Sequence, residues 1–416
     1  MSQAIVAGTR EHVLTADATT GLLSGVLCVL LFGLLNPFLA LLAVAMMETH
    51  RRTPAFVFIV SATTAFVLFF WLRDYGVEWF PEVSTDDVPN YIWMYQQNYS
   101  LTFSGVLERF FEEPNGSELL WNLPWWVLIN YFNGSDDTFV LLHYIAIFFG
   151  LFVALTTITR RYVAAFALVY MLLTPITIDG LVHIWRQQLA LTMFMIGIGL
   201  YMARGHKSGR WLIYLTPLMH FSVIFFVLAF LTFEFVRNFR GYSQKLKFGV
   251  LLTLIVTVIP VMASIAVGFL DSLGLARIMI YFEGYGADPV RVYLITALYV
   301  VPMLAAFFFL KNDDMNYLFA VLSFAVFSIV LALPSANSIY DRLLMFSQPF
   351  MGMFFYRCLL RSGSPHAQLP ALLLIFAYGV TRLYQPTKFD EGVMSFLAYG
   401  HAFDPFMGIA KMLVSL

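Results

Sequence analysis

The chain has 416 residues, of which 60% are hydrophobic and only 12% charged, with 43 phenylalanines and a mean hydropathy of +0.78. That composition excludes a soluble domain with an ordinary surface and describes a polytopic membrane protein. A formal net charge of -1 without a basic stripe excludes nucleic acid as a partner, and Cys28 and Cys358 both lie in hydrophobic stretches, which argues against disulfide or thiolate-metal chemistry.

The first 20 residues are polar and include Arg10, Glu11, His12 and Asp17, and the apolar run behind them is too long for a signal-peptide core. Hydrophobic runs follow at 21–47, 55–72, 138–158, 161–178, 187–203, 211–235, 248–270, 291–310, 316–334, 343–360 and 369–384. Most reach the roughly 20 residues that carry a helix across a bilayer core, so the expected fold is all-α, with about eleven to twelve transmembrane helices in a single membrane domain over 1–416. Between the second and third runs, the loop 73–137 is long enough for structure of its own. Asp87 to Asn98 and Leu101 to Phe111 alternate at helical spacing, and Trp121, Trp125 and Trp126 gather before the next run. This pattern predicts interfacial helices on the outer leaflet with tryptophans at headgroup depth.

Basic clusters at Arg51-Arg52, Arg160-Arg161, Arg204/Lys207/Arg210, Arg237/Arg240/Lys245/Lys247, Lys311 and Arg357/Arg361 mark the cytoplasmic side. Glu48, Glu234, Asp313 and Asp314 fall with them, and the other acids fall outside. The loop 73–137, a second loop at 271–290 and the tail 385–416 then lie on the outer face, while Asn36-Pro37 interrupts the first run and leaves the side of the N-terminus open. The segments 204–210 and 237–247 should share a side, yet only 26 residues separate them. Two short half-helices meeting near Pro217 and Met219-His220-Phe221-Ser222 fit better than one span, and a broken helix is tolerable where it lines a polar cavity.

Charged and polar groups at the edge of hydrocarbon usually line a substrate path or reaction site. Such groups here are Arg73, Asp87 and Tyr91 in the first loop, Trp185-Arg186-Gln187-Gln188, His220 and Asp341-Arg342. Asp136-Asp137, Asp313-Asp314 and Glu112 read as solvated loop charges. Each arginine at a span end also has a plain reading as a snorkelling anchor, Asp86-Asp87 as a helix cap, and His220 as a hydrogen-bonded structural residue.

The run Leu72-Arg73-Asp74-Tyr75-Gly76 followed by Thr85-Asp86-Asp87-Val88-Pro89-Asn90-Tyr91 resembles the arginine-then-GxD-xxx-Tyr opening of the EpsG-like family of Wzy-type polysaccharide polymerases. Glu113-Pro114 with Leu119-Leu120 is similar to that family's Glu-Pro-x-x-x-Leu-Leu segment. Ile184-Trp185-Arg186-Gln187-Gln188-Leu189-Ala190 resembles its Ile-Arg-Gln-x-(Ile/Leu)-Ala motif, Met219-His220-Phe221-Ser222 its Phe-His-x-Ser motif, and Tyr340-Asp341-Arg342-Leu343 its late arginine. No glycine precedes Asp87, and one residue separates Ile184 from Arg186; both depart from the pattern.

The resemblance implies a GT-C-type inverting glycosyltransferase at the periplasmic face of the bacterial inner membrane. Its donor and acceptor would both be oligosaccharide repeats on undecaprenyl pyrophosphate, with a polysaccharide chain-length regulator as a possible partner. That reaction needs a base for the acceptor hydroxyl and cations for the departing pyrophosphate. Arg186 and Arg342 suit the second role, because guanidinium binds phosphate oxygens through paired hydrogen bonds. Asp87 and His220 are alternative bases. Arg73, Tyr91, Glu113, Gln187, Arg277, Tyr281, Arg291 and Asp341 are expected to hold substrate. The acids form no Asp-x-Asp ligand set and no His pair has ligand spacing, so no cofactor and a metal-independent reaction are expected. A lipid-linked oligosaccharide flippase should show two similar halves, which are not visible. A membrane O-acyltransferase would need its histidine on the cytoplasmic side, and a polymer ligase would share the expected chemistry.

Overall fold

The computed structural model describes residues 88–112, 118–158, 184–239, 313–332 and 346–353, with short stretches and single positions between 27 and 67 and between 241 and 265. The described residues are helical and contain no strand. Eight helices follow in chain order: α1 Val88–Gln96, α2 Phe103–Glu112, α3 Leu119–Phe132, α4 Asp136–Ile158, α5 Trp185–Ile198, α6 Ser208–Leu215, α7 Ile224–Arg237 and α8 Asp314–Ala332. Residues 346–353 are helical as well.

α1 and α2 occupy the two segments whose periodicity predicts them. The tryptophans of α3 face protein neighbours. Trp121, Trp125 and Trp126 are only 1%, 7% and 8% exposed: Trp121 and Trp125 pack on His143 of α4, and Trp126 donates its Nε1–H to the Leu101 carbonyl at 2.8 Å and meets Phe103. Among the described side chains of α1, α2, α3 and their links, Trp93, Tyr99, Phe103, Tyr131 and Phe132 are exposed aromatics.

The α3–α4 junction is a tight reversal at Asn133, whose φ of 47° places it in the left-handed region where Asn is tolerated. The Tyr95 hydroxyl donates to the Gly134 carbonyl at 2.6 Å, tying α1 to this corner. Burial, with the negative charge of Asp136 adding to it, raises the Tyr95 phenol to about 12, so it stays a donor. Asp136 and Asp137 are not loop charges: they form the first turn of α4, where the helix dipole favours acids, and Asp136 accepts a 2.8 Å hydrogen bond from Gln96 Nε2. Asp313 likewise caps α8 by accepting from the Met315 amide at 2.8 Å, with Asp314 in the first turn.

α4, with 23 residues, is long and apolar enough to cross a membrane, the one such helix among the described residues. α5 packs along it and runs on through a π-helical turn at Gly199–Ala203. The chain then reverses at Gly205 and sends α6 back along α5. Gly197 and Gly209 meet backbone to backbone: a Cβ on Gly209 would lie 2.5 Å from the Gly197 carbonyl oxygen and 2.6 Å from the Tyr201 nitrogen.

The expected break near His220 is present. α6 passes into a 3₁₀ turn at Thr216–Leu218, His220 is extended (φ -160°, ψ 124°), and a second 3₁₀ turn at Phe221–Val223 opens α7. α7 then returns to the basic end of α6. There Glu234 meets Arg210 Nη2 at 3.0 Å and Arg237 Nη2 at 2.9 Å and accepts from the Tyr201 hydroxyl at 3.0 Å, so the two basic segments share an end.

Candidate active site

Four stacked rings from four helices build one wall of the site. Trp125 (α3) lies on His143 (α4) with centroids 3.9 Å apart, His143 on Trp185 (α5) at 4.7 Å, and Trp185 on Tyr91 (α1) at 5.3 Å. Partners set the central imidazole: its Nδ1–H donates to the Phe139 carbonyl and its Nε2 accepts from Trp121 Nε1, both at 3.1 Å. This histidine belongs to the packing. Offset stacks of this kind contribute about 0.5–1.5 kcal/mol per pair beyond burial, so the stack ties α1, α3, α4 and α5 into one unit.

Arg186 stands beside that unit, its guanidinium 5.6 Å from the ring centres of both Tyr91 and Trp121. Its Nη1 donates to Glu118 Oε2 at 2.9 Å, and the other carboxylate oxygen, Oε1, accepts from His220 Nδ1. One carboxylate thus joins the start of α5 to the break between α6 and α7. Glu118 can do this because it stands at the N-cap of α3 without using its side chain as the cap: its backbone carbonyl accepts from the amides of Trp121 and Asn122, both at 3.0 Å. The extended backbone at His220 turns that side chain toward it.

The site is shielded without being closed, since the Arg186, Glu118 and His220 side chains are 26%, 14% and 15% exposed. Burial alone would raise the Glu118 carboxyl, but the charges of His220 and Arg186 and their hydrogen bonds outweigh it and hold the group below its ordinary 4.5. The carboxylate is therefore ionised at neutral pH. Arg186 Nε and Ser222 Oγ are buried and make no hydrogen bond within the protein.

Of the residues singled out in sequence, Arg186, His220 and Tyr91 come together. Gln187 is fully buried within α5. Arg73, Asp87, Glu113, Arg277, Tyr281, Arg291, Asp341 and Arg342 lie outside the described residues. Glu118 was missed. Its signal was slight: an acid directly before Leu119-Leu120 and the tryptophan-rich helix, five residues past the Glu113 that was chosen. Among the described residues no three His, Cys, Asp or Glu side chains form a cation cage.

No curated protein and no solved structure matches this chain. The family model of EpsG matches residues 60–399, which takes in every helix described above. The chain belongs to the EpsG family, a membrane-associated family linked to Wzy-like polysaccharide polymerases.

Proposed function

We propose that this protein is a multi-pass inner-membrane glycosyltransferase of the inverting, GT-C type that polymerises oligosaccharide repeats carried on undecaprenyl pyrophosphate at the periplasmic face. The observation that carries the reading is the Glu118 carboxylate, which holds Arg186 and His220 in one site from three distant parts of the chain. Family membership supports the reaction class.

In this reading the acceptor hydroxyl attacks the anomeric carbon from the face opposite the leaving group, the new glycosidic bond forms, and the bond to pyrophosphate oxygen breaks. Arg186, whose side chain is 26% exposed, faces the departing phosphate oxygens, where a fixed donor contributes on the order of 10²–10³ in rate. Arg342 is the proposed second cation. Glu118 binds His220 Nδ1–H, which directs Nε2 as acceptor toward the hydroxyl proton, the logic of an acid-oriented histidine base. Asp87 remains the rival base, and Tyr91 borders the sugar.

Membrane dimensions support the same reading. From Trp185 to Ala203, α5 and its π turn span about 28 Å at about 1.5 Å per residue, close to the thickness of a hydrocarbon core. The Glu118 site and the Glu234 cluster would then lie at opposite membrane surfaces.

The test uses purified protein in lipid with its lipid-linked repeat and a chelator. Wild type should build an oligomer ladder. Arg186→Ala, Arg342→Ala and His220→Ala should lose it by at least about 100-fold while remaining folded, and Asp87→Asn ranks the two bases. A wild type that builds no ladder but moves the lipid across the bilayer would replace this reading with the flippase.

A further inference from the structure

At the end of the bundle opposite Glu118, a cavity of about 190 Å³ opens between α7, Lys247 and Leu251, and the first turn of α8. It has room for roughly six water molecules at about 30 Å³ each. Phe233, Val236 and Leu251 make its apolar walls, while Arg237, Lys247, Asp314 and Tyr317 bring polar groups to it.

The charges around it are unequal. Glu234 already faces two arginines, Arg210 and Arg237, so that trio carries net positive charge. Lys247 adds another cation and Asp314 offsets one, while Arg237, besides meeting Glu234, donates from Nη1 to Met202 Sδ at 3.2 Å. Lys247 Nζ donates to the Arg237 carbonyl at 3.2 Å, leaving further ammonium hydrogens to point elsewhere. The first turn of α8 borders the same wall, its amide at Met315 already held by Asp313.

We propose that this cavity binds a phosphate group through Arg237 and Lys247, and that the carrier is an anionic phospholipid whose glycerol and first methylenes lie along Phe233, Val236 and Leu251. Basic pockets between helices on the cytoplasmic side suit lipid headgroups, and a free phosphate would have no use for the apolar walls. The proposal rests on the membrane reading above for the source of its ligand. It does not need the glycosyl-transfer chemistry.

The experiment places full-length protein in phosphatidylcholine nanodiscs with graded phosphatidylglycerol. A parallel arm adds inorganic phosphate to phosphatidylcholine discs. Lipid retention is read by native mass spectrometry and stability by the thermal midpoint. Phosphatidylglycerol should be retained and should raise the midpoint, with Lys247→Gln weakening its binding about fivefold, Lys247→Arg retaining it, and inorganic phosphate having little effect. If Lys247→Gln does not fold, the wild-type preference for phosphatidylglycerol over phosphatidylcholine still decides. Equal retention of the two lipids, or equal binding by wild type and Lys247→Gln, overturns the site. A midpoint raised by inorganic phosphate alone overturns the lipid as carrier. Neither readout involves polymerisation, so failure here and failure of the ladder assay are separate results.

Discussion

Glu118 lies 68 residues from Arg186 and 102 from His220, yet its two oxygens serve both. Replacing it with Gln leaves the arginine without a counter-charge and His220 without an anionic partner. For a fully buried pair the loss is about 3–5 kcal/mol, and partial exposure brings the expected cost of Glu118→Gln to about 2–3 kcal/mol, measurable as a lower unfolding midpoint. Activity should fall further than stability explains, on the order of 10²-fold at a temperature where both proteins are folded, because the base loses its orientation. The same residue sets a pH dependence. Its folded value lies below the ordinary 4.5, so its stabilisation is fully present above that value and is lost as pH falls through the folded one. Acidification below about pH 4.5 should therefore destabilise the wild type more than Glu118→Gln, and converging midpoints at low pH would be the sign. Arg186, His220 and Tyr91 could be picked from the sequence because polar groups beside apolar runs need a reason. Glu118 could not, since an acid before a helix reads as an ordinary cap.

At the scale of elements, two features were legible and one was not. The broken helix followed from electrostatics: two basic segments separated by 26 residues must return to the same side, which leaves room for two short helices and a turn at His220. The α1 and α2 segments followed from periodicity. The neighbours of the α3 tryptophans were not legible, because an aromatic cluster near an apolar run has the same sequence whether it meets lipid or another helix; Trp121 and Trp125 meet His143 of α4, and Trp126 meets Leu101 and Phe103. The α5–α6 contact depends on glycine. Ala at position 209 would drive its methyl against the Gly197 carbonyl and the Tyr201 amide, backbone atoms that cannot yield alone. Gly209→Ala should cost about 1–3 kcal/mol in thermal unfolding, whereas Gly249→Ala, with no atom within 4 Å of its added methyl, should cost nothing of the kind.

Across the whole molecule, charge collects at two ends of the α5, α6 and α7 group. One end holds Glu118, Arg186 and His220; the other holds Arg210, Glu234, Arg237 and Lys247. If these ends face opposite sides of a membrane, single cysteines should report it in a background lacking Cys28 and Cys358. An impermeant maleimide added to spheroplasts should label Phe221→Cys, next to His220, and spare Lys207→Cys until the membrane is permeabilised. Both positions are exposed, so protection of one reports sidedness and not burial. Equal labelling of the two would reject the proposed orientation.

By itself the sequence determined the membrane-like composition, the helical character, the break at His220, the shared end of the two basic segments and the family resemblance. Each of these depends on local pattern or on the sign of charge, which chain order preserves. Only the tertiary structure decided that Glu118 is the carboxylate between Arg186 and His220, that Trp121, Trp125 and Trp185 pack around His143, and that Arg237 and Lys247 border a cavity beside α8. Those are long-range pairings of short side chains, and a pairing of that kind is set by how helices pack rather than by any pattern along the chain.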